Sequence, residues 1–364
     1  MMTIHDVIGG RDNNFTLLRF LAAFAVLFGH SYPLSQGLSG GEDLISAWLI
    51  PHWGESLPSL SVDLFFVTSG FLVGASYIHR QNLLAFIEAR ALRILPGLVV
   101  AVLFCVFVIG LFVTTASALE YFSSPSTWSY IKHNMTLITG IQYNLLGVFV
   151  NNPYPGSVNG SLWTLPIEVW MYFWVAVLGS FSILKGRQTF NLFFVLITLL
   201  YAQSSGSTFF IVHEVRHAHL AFLFMLGTFF YVNRKEVPLS FGVLTALAFF
   251  VYLTLSYPFS LYVKSIFFAY LVLTLALHPK LQIPSIDRWG DISYGLYIYA
   301  FPVQQTIAYL IPGIHPIAMF LLASAVTMPL AILSWKFIEK PALKLKGKMK
   351  IGRRYLDPRS KEDG

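Results

Sequence analysis

The stretch LLRFLAAFAVLFGHSYPL, residues 17–34, decides the fold. It is almost uniformly apolar, and it approaches the length a helix needs to cross ~30 Å of hydrocarbon. It nonetheless carries Arg19 and His30. Eleven residues at 100° each come back to within ~20° of the same helix face, ~16 Å further along the axis. An arginine at the centre of a membrane helix costs ~2.5–3.5 kcal/mol on insertion scales, so it normally faces a bundle interior or a wet cavity. Two readings stay open. Arg19 snorkels to the headgroups and His30 is a hydrogen-bonded interfacial histidine, or both line a polar channel. The shared face favours the channel.

The rest of the chain has the same character. Of 364 residues, 56% are hydrophobic and only 11% charged, and the mean hydropathy is +0.66. That is too little polar surface to cover a soluble domain. The apolar runs are continuous rather than alternating, which selects helices over a membrane barrel. Ten spans are expected, near 15–34, 61–79, 95–114, 162–183, 189–204, 217–232, 239–256, 261–277, 290–311 and 316–337. The expected fold is an all-α integral membrane bundle, residues 1–345, followed by a basic tail, 346–364. With a cytoplasmic N-terminus, 21 Lys and Arg fall on the inside and only Lys132, Arg216 and Lys264 outside. The positive-inside rule thus places both termini in the cytoplasm, and the tail suits anionic lipid headgroups. The net charge of +7, spread over loops and tail, does not suggest nucleic acid. The polar N-terminus shows no cleavable signal. The single cysteine, Cys105, excludes an internal disulfide framework and reads as a buried thiol.

Several polar residues stand out against this background. Asp63, in SVDLFFVTSGFLVG, lies at the expected outer start of the second span, near the depth of His30. It suits either a carboxylate partner for the imidazole or a helix N-terminal acid. Ser69 and Gly70 lie mid-span, where small residues favour close helix packing. Arg90 and Arg93 in IEARALRILPGL share a helix face, and guanidiniums there suit either oxyanion binding or membrane anchoring. Pro96 is expected to mark the turn into the third span. Glu168, in NGSLWTLPIEVWMYF, is a carboxylate placed inside the apolar zone and so a functional candidate, flanked by the belt residues Trp163 and Trp170. Asp291 opens the ninth span, Gln304 and Gln305 lie toward its other end, and Glu339 is expected to pair with Lys336 or a nearby arginine. The loop 115–160 is long and aromatic, a type that is usually functional.

Taken together, these motifs resemble the membrane-bound acyltransferase family 3, the O-acyltransferases of surface polysaccharides and lipid-linked glycans. The similarity runs from NNFTLLRFLAAFAVLFGH to SWKFIEKP. The family's Arg-x10-His falls on Arg19 and His30, its FFxxSGF on Phe65 to Phe71, its Arg-x-x-Arg on Arg90 and Arg93, and its NGSLWTLPxE on Asn159 to Glu168. The resemblance implies a bacterial inner-membrane enzyme that takes acetyl, or another acyl group, from cytoplasmic acyl-CoA to a saccharide hydroxyl. It implies no tightly bound cofactor. His30 is the expected catalytic residue, as base or acyl carrier, with Asp63 and Glu168 beside it in the catalytic set. Arg19, Arg90, Arg93 and Ser69 are the expected donor-binding residues. Many relatives carry a histidine where this chain has Ala300, so any role of that residue is absent. Some relatives carry a fused esterase-like domain, and none is expected within these 364 residues.

Two rivals follow from the residues alone. Ten spans with internal Arg and His suit a transporter or flippase, although no inverted repeat is visible. HEVRH, residues 213–217, has the H-E-x-x-H form of an intramembrane zinc protease built on His213, Glu214 and His217. Arg216 between the ligands and the lack of a third ligand argue against it, and His219 lies ~200° from His217 on the helix.

Overall fold

The computed structural model describes residues 2–8, 13–138, 140–283 and 290–347. Arg11, Arg288 and the tail from Lys348 onward lie outside them. The described residues are helical and contain no strand, only two isolated bridges. Ten long helices are labelled here α1 Phe15–Gln36, α2 Leu57–Arg80, α3 Leu83–Val113, α4 Gly160–Ser180, α5 Arg187–Gln203, α6 Val215–Val232, α7 Phe241–Thr254, α8 Ser260–Leu277, α9 Ser293–Leu310 and α10 Pro316–Leu343. Each expected span overlaps one of these helices, though not always with the same bounds.

Seven of the ten are long and apolar enough to cross a membrane. The exceptions are α5, α7 and α9. α7 is apolar but has only 14 residues, about 21 Å at 1.5 Å per residue. α9 carries three tyrosines in its first two turns, then Pro302, Gln304 and Gln305, and it is buried over almost its whole length. A helix shielded by protein can be polar where a lipid-facing one cannot.

Pro96 does not break the chain. α3 begins at Leu83, twelve residues before the expected start of the third span, and runs through Pro96. Its start is set by Asn82, whose side chain accepts the Ala85 N–H at 2.9 Å, a standard N-cap. A proline inside a helix removes one backbone bond, and the helices packed around it keep α3 continuous. Further on, residues 104–110 widen to a π-helix, and the buried Tyr121 hydroxyl donates to the Val106 carbonyl there at 3.1 Å.

Two compact units can be distinguished. The first comprises residues 1–25, 55–79 and 167–290, and the second 26–54, 80–166 and 291–364. In the first, α2 and α6 cross with their backbones in contact. A Cβ on Gly70 would fall 1.8 Å from the Phe224 carbonyl oxygen, and one on Gly227 2.2 Å from the Val67 oxygen. The Thr228 hydroxyl donates to the Gly70 carbonyl at 2.9 Å. Gly70 therefore serves the close packing expected of small residues in membrane bundles. In the second unit, α9 and α10 pack around Ala300, Val303, Ile307, Met319 and Ala323, with Leu27 of α1 in the same apolar cluster. Ala300 is a core residue here.

Candidate active site

α1 is one continuous helix, so Arg19 and His30 share a face as their spacing requires. His30 belongs to the second unit. Its ring stands nearly perpendicular to that of Phe301, with centroids 5.6 Å apart. Its Nδ1 is buried without a hydrogen-bond partner among the described residues. Gln304, fully buried, ties α9 to the same turn of α1: its Nε2 donates to the Leu27 carbonyl and to the Ser31 hydroxyl, each at 2.8 Å.

Arg90 and Arg93 lie in the same unit. Arg93 Nη2 is 2.6 Å from Asp291 Oδ2, and its Nη1 is 3.5 Å from Glu339 Oε2. The guanidinium also lies over the rings of Tyr294 and Trp335, 5.6 and 5.9 Å from their centroids. Ser293 and Ser334 donate to the two carboxylates. The expected partner of Glu339 is thus an arginine rather than Lys336. Arg93 is already neutralised by two acids, which leaves it less suited to an oxyanion than the sequence implied. The Arg90 guanidinium lies 5.9 Å from the Phe86 ring centroid.

In the first unit, two candidates far apart in sequence meet. Ser69 Oγ donates to Glu168 Oε1 at 2.8 Å, and the Tyr172 hydroxyl donates to the same oxygen at 2.5 Å. Glu168 lies in the first turn of the α-helical part of α4, and Tyr172 follows one turn later. Tyr172 was missed in the sequence, although its i+4 spacing from Glu168 was there to be read. Arg19 of the same unit lies over Phe65, 6.0 Å from the ring centroid.

Asp63, in the first unit, meets side chains of α6. Its Oδ1 pairs with Arg216 Nη2 at 2.8 Å and its Oδ2 faces His219 Nε2 at 3.6 Å. Arg216 reaches Glu55 and the Ser59 carbonyl as well. A buried carboxylate needs a counter-charge, and the one it finds comes from the HEVRH segment. That segment has no zinc-protease geometry. Glu214 is the N-cap of α6, so His213 lies before the helix and cannot share a helix face with His217. His217 Nδ1 is paired with Glu214 at 2.9 Å instead. The described residues contain no group of three His, Cys, Asp or Glu able to hold a metal ion.

The sequence places this geometry in a known family. A family model for the acyltransferase domain matches residues 12–336. The chain belongs to this acyltransferase family. It is 30% identical over 346 residues to the O-acetyl transferase of Shigella phage Sf6, covering 91% of this chain and 96% of that one. It is 28% identical to Nodulation protein 10 of Rhizobium leguminosarum bv. viciae, covering 93% and 95%. It is 24% identical to O-acetyltransferase OatA of Staphylococcus aureus strain NCTC 8325 / PS 47, covering 89% of this chain but 56% of OatA. No solved structure matches the chain. The family resemblance read from the motifs thus holds over nearly the whole acyltransferase region.

Proposed function

We propose that this acyltransferase moves an acetyl group from acetyl-CoA to a hydroxyl of a surface or lipid-linked saccharide, and that His30 carries the chemistry. The observation behind the assignment is the half-buried His30 imidazole, whose buried Nδ1 has no hydrogen bond among the described residues, on a helix face shared with Arg19. A neutral imidazole has a lone pair for a proton or an acyl group. As a general base it takes the proton of the sugar hydroxyl while that oxygen attacks the thioester carbonyl, and the C–S bond breaks to release CoA thiolate, which then takes a proton. As a nucleophile it attacks the thioester carbonyl and expels CoA thiolate as the C–S bond breaks; the sugar oxygen then takes the acetyl group from the imidazole, and the hydroxyl proton goes to the thiolate.

The donor's phosphates are assigned to Arg90, a cation three residues from Arg93 on one face of α3. Arg93, held by Asp291 and Glu339, fixes that stretch of helix. Glu168, with its two hydroxyl donors, is kept as a second functional carboxylate, and Ser69 is assigned to orienting it. Asp63 is assigned to holding Arg216. The ten helices are proposed to span the bacterial inner membrane with both termini cytoplasmic, on the strength of the 21 to 3 distribution of basic residues. That side supplies the CoA thioester.

The test is ester-linked acetate on glycans of membranes given labelled acetyl-CoA. Donor-dependent ester formation by the purified protein supports an enzyme. Glycan movement across the membrane without ester formation would support a transporter instead.

A further inference from the structure

The segment 152–164 is fastened to α9 at successive turns. Asn152 Nδ2 donates to the Gln305 carbonyl and side-chain oxygen at 2.9 and 2.7 Å. Gln305 Nε2 returns bonds to the carbonyls of Tyr154 and Ser157 at 2.8 and 2.7 Å. The hydroxyls of Thr164 and Tyr297 are 2.9 Å apart. Asn152, Gln305 and Asn159 are all buried.

The bond made by Asn159 has a specific cause. Pro302 lies inside α9, and a proline has no N–H to give the carbonyl four residues earlier. That carbonyl belongs to Ile298, and Asn159 Nδ2 donates to it at 2.9 Å. The loop thus supplies the donor that the helix lacks. The next residue, Gly160, lies against the ring of Phe301: a Cβ there would be 2.6 Å from Cε2. Phe301 in turn meets Tyr154 edge-on at 6.0 Å and His30 at 5.6 Å.

His30 Nδ1 has no hydrogen bond to set its ring, so packing must do so. We infer that Asn159 and Gly160 are positioning residues for His30: they hold the turn of α9 that contains Pro302, and so the Phe301 ring against the imidazole. The inference rests on the reading of His30 as the catalytic residue. Its consequence is that loop and histidine are coupled through Phe301, because a reacting group misplaced by a fraction of an ångström loses rate steeply.

Two mutant cycles in purified full-length protein test it. Gly160→Ala is expected to lower kcat on the order of tenfold or more, with KM for acetyl-CoA and melting temperature little changed. In a Phe301→Leu background, where the ring is gone, the same change should cost less than about twofold. Should Gly160→Ala fail to fold, the second cycle decides. Asn159→Ala should lower kcat strongly in the native background and far less with Pro302→Ala, where the residue 302 N–H returns to the Ile298 carbonyl. Independent, multiplicative effects, or losses confined to protein yield or KM, would overturn the inference. His30→Ala separates the two layers. Lost transfer in His30→Ala with multiplicative cycles sinks the positioning role alone, and retained transfer sinks the reading of His30 and this inference with it.

Discussion

Ser69 Oγ lies 2.8 Å from Glu168 Oε1, joining residues 99 apart in the chain. With the Tyr172 hydroxyl on the same oxygen, the carboxylate is held by two donors. Glu168→Gln keeps the shape and removes the negative charge, while its amide oxygen still accepts from both hydroxyls. Its transfer rate should fall on the order of a hundredfold. Ser69→Ala should cost less, about one lost hydrogen bond to a charged group, or ~1.5–3 kcal/mol. In the double mutant the serine change should add less than it does alone, because the charge that its bond holds is already gone. Transfer rates of the three variants at matched protein amounts check this.

The Arg93 pair makes a different kind of prediction. Glu339 is 1% exposed, and removing Arg93 strands its charge. Breaking a buried pair from one side costs roughly 3–5 kcal/mol. Arg93→Ala should therefore lower the yield of folded protein and its melting temperature in detergent. Arg90→Ala should instead raise KM for acetyl-CoA with folding preserved. The reverse pattern would move the donor site to Arg93.

Gly70 tolerates no side chain. A methyl 1.8 Å from the Phe224 oxygen forces α2 and α6 apart, and overpacking of this kind costs roughly 1–3 kcal/mol or more. Gly70→Ala should melt at lower temperature than the native chain, and Gly227→Ala likewise. Thermal unfolding followed by circular dichroism reads both.

Chelation should leave the activity alone. His213 lies before α6 and Glu214 caps it, so the H-E-x-x-H residues are not arrayed for zinc. Transfer after EDTA treatment should equal that before it, with no zinc in the purified protein. A loss restored by added zinc would revive the metal reading.

The opening stretch gave its helix and its shared Arg19–His30 face directly, because both follow from 3.6-residue periodicity. The positions of the ten helices were legible for the same reason. What sequence order conveys is depth, not azimuth. Asp63 and His30 lie at similar expected depth, yet the partners of Asp63, Arg216 and His219, come from a helix some 150 residues away. The same limit left open which basic residue Glu339 would find, and it hid the share of Asp291 in holding Arg93. Pro96 misled for a local reason: proline usually breaks an isolated helix, and only the packing of the neighbours, absent from the local pattern, lets α3 continue through it. Ser69 and Glu168 were each recognised, and their contact was not.

The central claim is that His30 performs the transfer. The most direct measurement is labelled acetate incorporated as glycan ester by membranes holding the native chain, His30→Ala or His213→Ala at equal abundance. Label should be lost in His30→Ala and retained in His213→Ala. Unchanged labelling in His30→Ala would contradict it.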